Sequence, residues 1–182
     1  LDLTLSRLDD LISALSEKAE EHKATATMAF THIQPAEVTT IGYRLSQTIQ
    51  DLLDDREQLL FVRRNIRGKG MKGAVGTAAS YSELLEGTGI SAMEMEEMVM
   101  EELGIKAYDA ATQIYSRKQD LRIIEVLSSI SCTLHKFSLD FRILQSPPIG
   151  EFSEPFGKMQ VGSSAMPFKR NPINSEKIDS LS

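Results

Sequence analysis

Residues 162–172, GSSAMPFKRNP, bring two hydroxyls, two adjacent cations and an Asn-Pro step into one short stretch with no helical or strand period. Asn171 followed by Pro172 reads as the N-cap and first residue of a helix. The residues just before it then face the positive end of a helix dipole, where free backbone N–H groups bind anions. Lys169 and Arg170 add formal charge, and Gly162 lets Ser163 and Ser164 come close to a ligand. Such a segment could hold a carboxylate or phosphate beside a serine hydroxyl. The plain alternative is a solvated basic loop that ends in a helix cap.

A second candidate is THIQP, residues 31–35. His32 sits in a short irregular piece between helical patterns, and an imidazole with a pKa near 6.5 suits proton transfer; alternatively it is structural or merely exposed. Of the other two histidines, His135 falls mid-helix as packing or surface and His22 reads as solvated. RRNIRGKGMKGAVGT, residues 63–77, carries five cations and no acid. It is either a solvated helix end or a glycine-rich loop that touches an anion. It lacks the Gly-Lys-Ser/Thr ending of a phosphate loop. Gln113, Ser116 and Arg117 in TQIYSRKQD stand at the start of a long helical pattern, as an exposed first turn or as ligand contacts. The acids Glu94, Glu96, Glu97, Glu101 and Glu102 read as helix-surface charge. No His, Cys or carboxylate group has metal-ligand spacing, and no dinucleotide fingerprint is present.

Long helices must carry these segments. Leu1, Leu5, Leu8, Leu11, Ile12 and Leu15 predict a helix over residues 1–24. Leu45, Ile49, Leu52, Leu59, Val62 and Ile66 mark a second over 38–67. Ser91 and Glu94 have capping-box spacing for a helix over 92–103 that ends before Gly104. Ile123, Leu127, Ile130, Leu134, Phe137, Phe141 and Leu144 phase a long helix over 114–145, stopped by Pro147 and Pro148. Residues 25–40 read as loop or short extended chain, without strand pairing. Residues 146–170 form a long aperiodic segment of the kind that moves or functions. The fold class is all-α, a long-helix bundle.

The composition is that of a globular chain, 41% hydrophobic and 25% charged. A net charge of −6 argues against nucleic acid as a partner, and no apolar run is long enough for a membrane span. One cysteine, Cys132, fits a reducing compartment, so a cytoplasmic location is expected. The chain opens without methionine and in helical rhythm, and stops as a helix begins. It reads as an internal fragment.

GSSAMPFKRNP resembles the signature loop GSSxMPxKxNP of the fumarase/aspartase superfamily. FTHIQPAEVTTIGYR, QIYSRKQD and the Ser-Glu of NPINSEK resemble the same superfamily in the form taken by adenylosuccinate lyases, and the likeness covers nearly all 182 residues. It implies the central helical domain of such an enzyme, over 1–182, without the family's N- and C-terminal domains. It implies β-elimination of fumarate from adenylosuccinate, or from the succinylated carboxamide intermediate of purine synthesis, without metal or organic cofactor. The carried-over roles are general base for Ser163 and general acid for His32. Substrate contacts fall to Thr31, Gln113, Ser164, Met166, Lys169 and Asn171. Lys177 stands where animal-type relatives have an arginine facing the phosphate end; it keeps charge but loses the planar fork. Phe168 fills a position held by tyrosine or histidine in relatives. The family assembles as a homotetramer through its long helices, with each active site built from three subunits and a mobile loop at 146–170. Argininosuccinate lyase, fumarase and aspartase share the serine loop. A non-catalytic helical scaffold is the reading from another class.

Overall fold

The computed structural model describes residues 1–157 and 159–182; Lys158, inside the segment expected to be a mobile loop, lies outside the described residues. In chain order the elements are α1 (Asp2–Glu21), β1 (Ala26–Thr31), β2 (Gln34–Thr40), α2 (Ile41–Arg64), β3 (Arg67–Gly68), α3 (Ala79–Leu84), α4 (Ala92–Glu102), β4 (Lys106–Ala107), α5 (Lys118–Gln145) and α6 (Ile173–Leu181). The fold is mostly helical, as the sequence patterns require. The chain divides into two compact units, Leu1–Gln58 with Val126–Ser182, and Leu59–Glu125, the divisions falling inside α2 and α5.

In the first unit the α2 stripe is buried where its period places it, at Leu45 and Leu52. On α5, Ile130 and Leu144 are buried as expected. Val126 takes the inward place given to Leu127, which is 38% exposed. One member of the α2 inner face is an acid. Asp55, 5% exposed, accepts hydrogen bonds from Ser129 Oγ at 2.6 Å and Thr133 Oγ1 at 2.7 Å on α5. Two hydroxyls on successive turns thus satisfy a carboxylate that burial alone would make costly, and they fix the register of α2 against α5. The α1–α2 side adds the ion pair Arg56–Asp9.

The expectation of unpaired chain over 25–40 is corrected. β1 and β2 form an antiparallel hairpin running from Ala26↔Thr40 to Thr31↔Gln34, with a bulge between Met28 and Phe30. His32 and Ile33 make the two-residue turn, at φ 54° and 60°. Positive φ at both turn residues matches the twist of a hairpin, but such turns usually carry Asn or Gly. Pro35 lies opposite Phe30, beside the bulge, where a missing N–H is tolerated. Neither strand shows the alternating burial that makes a strand legible.

The second unit has a short parallel pair, Arg67↔Lys106 and Gly68↔Ala107. Buried Gln119 extends it: its Oε1 accepts from Arg67 N at 2.8 Å and its Nε2 donates to Arg67 O at 3.1 Å. The capping box of α4 is present as its spacing predicts. Glu94 N donates to Ser91 Oγ at 3.2 Å, and Ser91 N donates to Glu94 Oε2 at 2.7 Å. Helix limits shift inward from the expected ones: α2 runs 41–64 and α5 starts at Lys118. Among the described residues no helix is long and apolar enough to cross a membrane.

Candidate active site

The serine segment lies between α5 and α6, and its two limbs are tied together at the end of α5. Gln145 donates through Nε2 to the Arg170 carbonyl at 3.1 Å and accepts through Oε1 from Glu154 N at 2.9 Å. Phe152 packs on Phe141 with ring centroids 5.2 Å apart, and the Arg170 guanidinium lies 3.8 Å over the Phe156 ring. The segment therefore has aromatic anchors that its aperiodic sequence did not suggest. At Gly162 a Cβ would overlap the Lys169 carbonyl, so glycine is needed there for the loop's own close approach, whatever it does for a ligand.

The start of α6 differs from expectation in two ways. The N-cap is Pro172 and not Asn171, and it provides no side-chain cap. The first-turn donors are already engaged, by the Glu154 carboxylate. Asn174 donates to Glu154 Oε2 from its N and its Nδ2, both at 3.0 Å, and Ser175 donates to Oε1 from its N and its Oγ, both at 2.8 Å. The positive end of the α6 dipole, read from sequence as an open anion site, holds an internal anion.

Burial pushes the Glu154 carboxyl up, but the hydrogen bonds from Ser175 and Asn174 outweigh it and hold the group below the usual carboxylate value. A lowered folded pKa means that this tie is fully present above an ordinary glutamate pKa of about 4.3 and is lost as pH falls through the folded value. The amide signals of Asn174 and Ser175 should accordingly follow one carboxylate titration, with a midpoint below that of an unperturbed glutamate. A midpoint at or above the ordinary value would contradict the tie.

The hairpin is fixed by a second glutamate of the same segment. Arg44 on α2 pairs with Glu151 at 2.5 Å and donates to the Met28 carbonyl at 2.5 Å, while Met28 N donates to Glu151 Oε1 at 3.3 Å. Burial raises the Glu151 carboxyl, but the Arg44 guanidinium and the β1 donors overcome it, and the group also lies below the usual range. Residues 151–154 thus anchor both the hairpin bearing His32 and the loop bearing Ser163.

The predicted site residues are placed as follows. Thr31 ends β1, paired with Gln34, and His32 leads the turn; both are exposed. Ser163 is half-buried, with Ala165 N at 3.4 Å from its Oγ. Ser164, Met166 and Lys169 are exposed, Asn171 is half-buried just before α6, and Lys177 is exposed on α6. Gln113 is exposed in the second unit, five residues before α5 begins. Ser163, Ser164, Met166, Lys169 and Asn171 share one loop and Thr31 and His32 share one hairpin. Among the described residues no hydrogen bond joins His32 to the loop. His135 is exposed beside Asp179, and Arg117, read as a possible ligand contact, pairs with Asp120 at 2.9 Å.

The glycine-rich basic stretch also encloses an internal acid. Lys72 pairs with Glu96 at 2.5 Å, and Met71 N donates to Glu96 Oε2 at 2.6 Å. Gly70, at φ 82°, has no room for a Cβ against that carboxylate. Glu96 is not surface charge as its helix pattern suggested: its side chain is 16% exposed.

The helical fold, the serine loop and the histidine hairpin coincide with a match to the family model described as Lyase over residues 2–182, and the chain belongs to that lyase family. It is 42% identical over its whole length to the adenylosuccinate lyase of Schistosoma mansoni, covering 38% of that protein. It is 40% identical over 99% of its length to the adenylosuccinate lyase of Saccharomyces cerevisiae, covering 37% of it. The Pyrococcus horikoshii adenylosuccinate lyase is 39% identical over the whole chain, which covers 39% of it. The chain therefore spans well under half the length of these relatives. Among solved structures it resembles 3-carboxy-cis,cis-muconate lactonizing enzyme from Pseudomonas putida, with TM-score 0.84, 27% identity, and coverage of 98% of this chain and 38% of that one. A fumarate lyase from Mesorhizobium sp. BNC1 shares the fold at TM-score 0.79 and 22% identity, over 98% of this chain and 37% of that one.

Proposed function

We propose that this chain is the central helical part of an adenylosuccinate lyase, a cytoplasmic homotetramer that releases fumarate from adenylosuccinate and from the succinylated aminoimidazole carboxamide ribotide. The observation that carries the reading is identity of 39–42% to relatives of that name across essentially the whole chain, the serine loop included.

The chemistry follows from the residues. A proton leaves the carbon next to a succinyl carboxylate, and the electrons left behind load that carboxylate with negative charge. Fixed cations and N–H donors are the strongest means of stabilising such charge. Ser163 removes the proton. A serine acts as base only if its alkoxide is stabilised. With the α6 donors engaged by Glu154, that task passes to Lys169 and to backbone groups of the loop such as Ala165 N. The C–N bond then breaks, and His32 protonates the departing nitrogen. Thr31, Gln113, Ser164, Met166 and Asn171 contact the substrate, with Lys177 towards its phosphate. The loop over 146–170 closes over the bound substrate. No metal or organic cofactor takes part.

His32 and Ser163 of one chain serve different active sites of the tetramer. The exposed apolar residues Tyr43, Phe61, Leu121 and Ile124 on α2 and α5 support burial of these helices by other copies. The test is a substrate panel with the full-length parent enzyme, reading fumarate release by absorbance. Adenylosuccinate and the carboxamide ribotide should be cleaved, and argininosuccinate, malate and aspartate should not. Preference for any of the last three would reassign the chain within its family. The 182-residue chain alone should associate through its helices and turn over little substrate; robust turnover by it would refute this part of the reading.

A further inference from the structure

Pro172, at the N-cap of α6, has no side-chain acceptor to satisfy the first-turn donors. Those donors are satisfied from 20 residues upstream, by Glu154. This is an expensive way to cap a helix if capping is all that is gained, because an Asp or Ser at the N-cap would serve alone. What the long-range cap adds is closure of a loop. The same Glu154 is tied through its backbone N to Gln145, whose Nε2 holds the Arg170 carbonyl. Glu154, Gln145, Arg170, Asn174 and Ser175 thus form a neck, and the segment bearing Ser163 and Lys169 projects from it.

We propose that Glu154 is a positioning residue: it sets the height and orientation of the serine loop by clamping the two ends of that loop together. The inference rests on the reading of Ser163 as the base, since only then does loop position govern turnover. Glu154 touches no reacting atom. It acts through Ser163 and Lys169, whose approach to substrate must be right to within about 1 Å for full rate.

The test uses Glu154→Ala and Glu154→Asp in the full-length parent, with kcat and KM measured on adenylosuccinate and amide exchange followed by mass spectrometry. Glu154→Ala should lower kcat by about 10–100-fold with a much smaller change in KM. Amides of residues 159–171 should exchange faster, while those of 41–57 and 127–144 keep their protection. Glu154→Asp, which keeps the charge but reaches fewer of the four donors, should fall between the parent and the alanine variant. Parental kcat in Glu154→Ala would overturn the proposal. So would loss of protection throughout the helical core, which would mean a role in folding alone. If the parent does not cleave adenylosuccinate, the functional reading fails by itself, and unchanged exchange at 159–171 in Glu154→Ala would still overturn the clamp.

Discussion

Ser163→Ala in the full-length parent is expected to reduce kcat on adenylosuccinate by about 10²–10⁴-fold, the span attributable to a positioned acid–base group. Substrate affinity should change little, because in the proposed mechanism the hydroxyl takes part in the proton transfer and not in binding. The loop should keep its shape. Among the described residues the Ser163 Oγ accepts only the long 3.4 Å contact from Ala165 N, whereas the neck is held by Gln145, Glu154 and Arg170. A circular dichroism spectrum and an oligomer mass equal to the parent's would locate the loss in the chemistry. A loss below tenfold would remove Ser163 from the role of base.

His32→Ala should cost about 10²–10⁴-fold as well, with a different signature. If the imidazole protonates the departing nitrogen, the loss should shrink for a succinyl substrate whose leaving group needs no proton. The hairpin itself should tolerate the change poorly or well according to the backbone alone, because His32 sits at φ 54° and makes no side-chain hydrogen bond among the described residues. His32→Asn is therefore the better control. Asparagine suits the left-handed region and keeps the turn, while offering no proton near neutral pH. Equal loss in the Ala and Asn variants assigns the effect to the imidazole. Recovery in His32→Asn would assign it to the turn.

The helices were legible because their apolar residues repeat: Leu45 and Leu52 on α2, and Ile130 and Leu144 on α5, are buried as the period requires. The Ser91–Glu94 box was legible for the same local reason. The hairpin was not. Its strands lack alternating burial, its turn uses His-Ile where Asn-Gly would have signalled it, and Pro35 argued for loop. The candidate site was legible as residue types in segments, but its electrostatics were not. A sequence shows donors and cations, and not which acid folds back onto them. Glu96 fills the glycine-rich loop from a helix 24 residues away from Lys72, and Glu154 fills the α6 terminus from 20 residues upstream. Asp55, an acid inside an apolar stripe, was invisible until Ser129 and Thr133 met it.

Mixing the two inactive full-length variants tests whether His32 and Ser163 of one chain serve different active sites. Each His32→Ala chain brings an intact Ser163, and each Ser163→Ala chain an intact His32. After subunits exchange at equal amounts, random assembly leaves about a quarter of the sites with both groups whole if the two come from different copies. Activity should then recover to about a quarter of parental kcat. No recovery, with exchange verified by the mass of mixed oligomers, would contradict a site shared between copies.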